Sequence, residues 1–282
     1  TDWVRNDFDL AGIPGSSGTV GAGEAFNTPG APNEIFVRPP TGFCDDDATL
    51  ISAIQGNGAA SPLVGQTHIV EAVVVGDFQD GAKGTNGDLN GFHLQEEDAD
   101  ADGDPSTSEG IFVFDGSNPA VDVNIGDRVR VVGSVSEFNG LTEITATAVL
   151  VCDPPTAAPT PATLALPVTG VDDFESSEGM LITFPQDLVI SEYFNFDRFG
   201  EIVLTSERLY QPTAVFDPGS PEATALTASN ALSKITLDDG RTNQNPDPAI
   251  HPNGAEFTLD NLFRGGDTVA NGINLLLLLF VA

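Results

Sequence analysis

Residues 128–151 read RVRVVGSVSEFNGLTEITATAVLV. Two runs of alternating or β-branched residues, Arg128–Val135 and Leu141–Val151, stand either side of the break SEFNG. Such alternation marks a strand with one face buried. The same pattern extends in both directions. Upstream it covers His68–Val75, Gly91–Gln95 and Ile111–Asp115; downstream it covers Met180–Phe184, Leu188–Tyr193, Glu201–Thr205 and Lys234–Leu237. The 30 glycines and 20 prolines punctuate these runs. Helical signals are few. Pro221–Leu232 follows Ser220, a residue suited to cap a helix, and a short helix fits Thr49–Gln55. The expected class is all-β.

The Pro/Ala/Thr-rich stretch 153–167, DPPTAAPTPATLALP, reads as a linker. It separates a first module, 44–152, from a second, 168–282, with an irregular or strand-like segment at 1–43. The modules echo each other. In the first, Gly65–Val75 and Gly91–Gln95 lead to Gly126-Asp127-Arg128-Val129; in the second, Glu178–Phe184, Leu188–Tyr193 and Gly200–Thr205 lead to Gly266-Asp267-Thr268-Val269. Strands of this order and length fit five-stranded barrels of the OB type. Two tandem OB-like barrels are therefore expected, a single larger sandwich being the alternative. The run Leu275–Leu279 is either a core strand or an irregular end.

The chain has 282 residues, 40% of them hydrophobic, enough for a packed core. Lys plus Arg total 10 against 42 Asp plus Glu, a formal charge of −32. Only Lys83 and Lys234 are lysines. Such a field repels phosphates and anionic membranes and attracts divalent cations. A secreted, salt-adapted protein is the simplest expectation. No apolar run reaches membrane-spanning length. The start at Thr1 without Met implies a processed product or a piece of a longer chain. Cys44 and Cys152 bracket the first module. A disulfide closing a loop of about 100 residues is worth about 4–5 kcal/mol; the alternative is two unrelated buried thiols.

Residues 98–109, DADADGDPSTSE, carry the densest chemical signal. Asp98, Asp100 and Asp102 take loop positions one, three and five, Gly103 the sharp turn, Asp104 position seven, Ser106 position nine and Glu109 position twelve. This is the D-x-D-x-D-G-x5-E spacing that wraps oxygen ligands around Ca2+. The flanks look like strands, so the loop belongs to a β-hairpin and not to a helix pair. Glu96 and Glu97 add charge around it. The alternative is a solvated acidic turn. Asp45-Asp46-Asp47 reads as a helix cap with a charged first turn, and Asp238-Asp239-Gly240-Arg241 as a hairpin turn.

Long phrases here resemble the OB-like region of ExeM/NucH-type extracellular endonucleases. They include ISAIQGNGAASPLVG (51–65), VEAVVVGDFQ, GDRVRVVGSVSEFNGLTEI and, further on, EGMLITFP, FGEIVLTSERLYQPT and LDDGRTNQNPDP. The resemblance covers about 44–270. Residues 1–33, with Trp3 and TPGAPN at 28–33, resemble the end of a lamin-tail-type domain. It implies a secreted, cation-dependent nuclease whose catalytic domain follows the OB-like region. That domain needs a His–Asp pair with Asn and Glu metal ligands. His68 and His93 lie inside strands, His251 lies in a Pro/Asn loop, and no S-D-H triplet, P-loop, zinc spacing or nucleophile elbow occurs.

The leading expectation is thus a non-catalytic, calcium-binding accessory region of a secreted nuclease. In an OB barrel, Phe78, Phe92, Phe112 and Phe138 could stack bases and Arg128 and Arg130 could meet phosphates, with cations bridging the charge; the alternative is that these phenylalanines fill the barrel. The second expectation is an extracellular structural module that self-associates through strand exchange. A hidden enzyme ranks third.

Overall fold

The computed structural model describes residues 38–79, 89–152 and 157–270, and the backbone alone at 274–276. Residues 1–37, Lys83, the start of the linker (153–156) and Leu277–Leu279 lie outside the described residues. The chain divides into two compact units, Thr1–Asp46 and Asp47–Ala282.

In the first unit the described end is a tight turn. The Gly42 amide donates to the Pro39 carbonyl (2.9 Å), and the Phe43 amide donates to Asp46 Oδ2 (2.6 Å). Asp46 also pairs with Arg38, whose guanidinium lies over the Phe43 ring. The acidic triplet therefore does not cap a helix. The first helix, α1 (Ile51–Gln55), starts after Leu50 with no side-chain cap and no acidic residue in its first turn.

The second unit opens with α1 and then β1 (Thr67–Phe78), β2 (Gly91–Gln95), β3 (Gly110–Phe114), β4 (Arg128–Phe138) and β5 (Leu141–Cys152). These five close a barrel in the order β1-β2-β3-β5-β4. Every neighbouring pair is antiparallel except β3 and β5, which run parallel from Phe112↔Glu143 to Phe114↔Thr145. Alternate residues point inward: Val70, Ala72 and Val74 of β1, Phe92 and Leu94 of β2, Ile111 and Val113 of β3, and Val129 and Val131 of β4 meet Ile144 and α1's Ile51 and Ile54. Removing such side chains from water supplies the main drive to fold.

The rest of the unit holds β6 (Ala162–Thr163), a 3-10 turn at Val171–Ser177, β7 (Leu181–Thr183), β8 (Leu188–Glu192), α2 (Phe196–Phe199), β9 (Ile202–Thr205), α3 (Pro212–Val215), α4 (Pro221–Leu232), β10 (Lys234–Leu237), β11 (Thr268–Val269) and β12 (Asn274–Leu276). The expected helix and cap are both present: Ser220 Oγ accepts from the Ala223 amide at 3.1 Å. The 238–241 turn joins no second strand. The Asp238 carboxylate holds the Gly240 amide (2.7 Å), and Gly240 lies against Phe78, so the segment is a loop lying on the barrel.

The modules echo each other in hydrogen bonds as well as letters. Gly126 N–H donates to the Val74 carbonyl and Val74 N–H to the Asp127 carbonyl, both at 2.9 Å; Gly266 N–H donates to Ile190 (2.7 Å) and Ile190 N–H to Asp267 (3.0 Å). Asp127 and Asp267 each accept, at 2.8 Å, the amide three residues upstream. A bulge follows at the same place, between Val74 and Gly76 in β1 and between Ile190 and Glu192 in β8. The path β4-β1-β2-β3 recurs as β11-β8-β9-β10. The closing step differs. Among the described residues, β12 pairs with β7 in a separate three-stranded sheet with β6, and no second closed barrel forms. A second apolar core, including Leu164, Ile182, Leu188, Ile202 and Leu204, fills the space between these sheets.

Candidate metal centre

The acidic loop spans the open end of the β2–β3 hairpin. The ladder continues one step past Gln95 and Gly110, with the Glu96 amide donating to the Glu109 carbonyl at 3.0 Å. Extended backbone places these two glutamates opposite each other and turns both side chains inward. Glu96 is 2% exposed. Its Oε1 accepts the Ile51 amide (2.7 Å), while Oε2 is buried with no hydrogen-bond partner. Glu109, 9% exposed, accepts the Asp102 amide through Oε1 (2.8 Å), and its Oε2 too is buried and unpartnered.

Glu96, Glu97 and Asp100 bring carboxylate oxygens within 4.8 Å of one another. Burial pushes Glu96 up to about 8 against the pull of the Ile51 amide, and the charges of Glu109, Asp100 and Glu97 raise it further. Burial also raises Glu97 and Glu109, the latter further lifted by Asp102. Crowded carboxylates with unfilled buried oxygens are costly when ionised, and a hard cation relieves both the repulsion and the unmet bonding.

The loop residues divide into two groups. Gly103 makes the sharp turn, at φ +74°. Asp100 joins Glu96 and Glu97, and Glu109 lies across the ladder from Glu96. Asp98, expected as the first ligand, instead accepts from Thr160, its Oδ1 from the amide (2.8 Å) and its Oδ2 from the hydroxyl (2.6 Å). These bonds lower its pKa. Asp102 accepts the Asp104 amide (2.7 Å) and the Thr107 hydroxyl, which lowers its pKa as well. Asp104 accepts the Ser106 amide and hydroxyl at 2.9 and 2.7 Å. Asp98, Asp104 and Ser106 thus serve turns and a distant threonine. Glu96 and Glu97, expected only as surrounding charge, are the residues whose oxygens gather with those of Asp100. The available signal was their place just before the loop, where a strand end must aim one of the pair inward.

The residues considered for nucleic acid do not assemble a surface. Phe92 is wholly inside the barrel core. Phe112 is buried with its ring 4.9 Å from that of His93, and Phe78 is half-buried with one ring edge against Gly240. Phe138 is 59% exposed, at the far end of β4. Arg128 and Arg130 both pair with Glu71, at 3.1 and 2.8 Å, and the buried Arg130 also donates to the Asp47 carbonyl (2.7 Å). Glu71 and Arg130 face each other directly across the β1–β4 ladder. A cleft beside the acidic loop is lined by Asn57, Gly58, Pro105 and Ser106 together with Asp172, Asp173 and Glu175. Its charged groups are all carboxylates, a poor host for phosphate.

Two of the histidines keep buried ring nitrogens with no hydrogen-bond partner, His68 at Nε2 and His93 at both Nδ1 and Nε2. His68 Nδ1 lies 3.1 Å from the Thr49 hydroxyl. His93 is enclosed between Phe78 and Phe112, and burial pushes it down to about 3. His251 Nδ1 accepts the Asn253 amide (3.0 Å).

No family profile, curated protein or solved structure matches this chain. Neither cysteine is free: Cys44 and Cys152 are disulfide-bonded. Among the described residues, no helix is long and apolar enough to cross a membrane.

Proposed function

We propose that this chain is a non-catalytic, calcium-binding accessory region of a secreted nuclease. The observation that carries the calcium reading is the pair of buried, unpartnered oxygens, Glu96 Oε2 and Glu109 Oε2, beside Glu97 and Asp100. An all-oxygen, irregular set suits Ca2+ better than Mg2+, which demands regular octahedral geometry and keeps most of its water. The disulfide suits an oxidising, extracellular setting. The barrel order β1-β2-β3-β5-β4 supports an OB-type module, and the recurring β4-β1-β2-β3 path supports a second, diverged one. The nuclease context rests on the resemblance of the quoted phrases to the ExeM/NucH-type region. Nucleic-acid contact by Phe92, Arg128 and Arg130 is not favoured, since Phe92 is buried and both arginines are ion-paired, and Phe78 is half-buried.

Calorimetric titration with calcium tests the site. One binding event is expected, weakened by Glu96→Gln and by Glu109→Gln. At 100-fold excess over the dissociation constant, calcium adds about 2.7 kcal/mol, so EDTA should lower Tm by about 5–10 °C. An unchanged Tm together with no heat of binding refutes the calcium reading. Filter retention of single-stranded DNA at low salt, with and without calcium, tests the nuclease context; no retention in either condition removes a nucleic-acid role for this chain.

Strand exchange, the basis of the structural alternative, finds no free edge in the barrel, where each of the five strands has two partners. Among the described residues, β10 is one exposed edge of the four-stranded sheet and begins at Lys234, a charge that discourages pairing.

A further inference from the structure

The acidic loop does more than hold charge, because the residues interleaved with its carboxylates reach across to the second half of the unit. Asp98 sits between Glu97 and Asp100 and takes both the amide and the hydroxyl of Thr160. Gln95, directly before Glu96, donates to the Thr160 carbonyl (3.0 Å) and accepts the Leu181 amide (2.9 Å). Ser108, directly before Glu109, donates to the Glu178 carbonyl at 2.6 Å. Gly110, directly after it, lies so close to Gly179 that an added Cβ would stand 2.4 Å from the Gly179 carbonyl carbon. Each flank of the carboxylate cluster is thus a contact with 160–181.

We infer that the cation at this cluster works as a clasp, holding the barrel and the sheets that follow it in one arrangement. The inference rests on the calcium site proposed above. With the cation bound, the loop is fixed and its seam bonds are pre-aligned. Without it, the buried oxygens of Glu96 and Glu109 have no bonding partner, the loop spreads, and the bonds to Thr160, Glu178 and Leu181 loosen while the barrel ladder stays paired. The occupancy of one site then sets the rigidity of the joint, which in an extracellular setting makes the spacing of the two halves depend on external calcium.

Hydrogen exchange on the full chain, read by mass spectrometry with calcium or with EDTA, tests this. Calcium is expected to slow exchange at the Thr160 and Leu181 amides by about tenfold or more while leaving the β4–β5 ladder unchanged. Glu96→Gln should abolish the response. Asp98→Ala, with its fold checked by circular dichroism, should still bind calcium by calorimetry yet lose the protection at Thr160. Thr160→Val, which removes the hydroxyl bond from the opposite side of the seam, should weaken that protection without lowering calcium affinity. Calorimetric binding with equal exchange across 157–184 in both conditions overturns the clasp and leaves the site standing. Loss of binding in Asp98→Ala also overturns it, by making Asp98 a ligand. Absence of any heat of binding overturns the site and the clasp together.

Discussion

Glu178 offers a perturbation whose size follows from its surroundings. It is 2% exposed, and its Oε1 accepts from Gln55 Nε2 (3.2 Å) and from the Thr142 amide (2.9 Å). Burial, reinforced by the charges of Glu175 and Glu137, pushes its pKa from 4.5 up to about 7 despite those bonds. Between these values the folded chain keeps a proton that the unfolded chain has released, so stability falls as pH rises. The cost is absent below about pH 4.5 and complete above about pH 7, where it amounts to about 3 kcal/mol. Glu178→Gln keeps the accepting oxygen and removes the ionisation. The variant should match the parent at pH 4 and exceed it progressively up to pH 8. At about 2–4 °C per kcal/mol for a unit of this size, the gain in Tm at pH 8 is about 6–12 °C. Differential scanning calorimetry from pH 4 to 8, with calcium chelated throughout, measures the difference between the two proteins. Contributions from Glu96 and Asp238, also raised by burial, cancel in that difference. Parallel pH profiles would refute the assignment.

Gly110→Ala should destabilise the chain by about 1–3 kcal/mol, because the new methyl meets the Gly179 and Met180 backbone at 2.4–2.5 Å, where no side-chain rotation can yield; urea denaturation should show a lower midpoint with an unchanged slope. Glu71→Ala should cost about 3 kcal/mol or more by removing the carboxylate that neutralises Arg128 and the buried Arg130, and the double variant Glu71→Leu with Arg130→Met should recover much of that loss. Equal loss in the single and double variants would show that packing, not charge, dominates there.

Much of the strand content was legible because alternation and β-branching report local backbone preference. Gly91–Gln95 and Lys234–Leu237 have the expected bounds, and the Gly-Asp strand starts at 126–127 and 266–267 fold into matching turns. Pairings between distant residues were not legible. Alternation shows that Phe92 and Phe112 belong to strands but not how deeply each is buried. Arg130 looks like a surface cation until Glu71 is placed opposite it in the ladder. The calcium spacing correctly marked a turn at Gly103, yet it treated all the aspartates as equivalent. Thr160, sixty-two residues away, draws Asp98 out of the group, and the strand end draws Glu96 in. Closure of the second half depends on β12 choosing β7 as its partner, a choice no local pattern records.

The parallel contact between β3 and β5 also dictates an order of assembly. The β1–β2 and β2–β3 pairs are near neighbours in sequence and can form early. The ring cannot shut until β4 has returned to β1 and Leu141–Cys152 has slotted between β3 and β4. The hairpin of β4 and β5 therefore acts as a keystone. Until it arrives, β1 and β3 are open edges, and closing such long loops costs chain entropy. The register of Glu96 against Glu109 belongs to the β2–β3 hairpin, so the acidic loop is framed before the ring shuts.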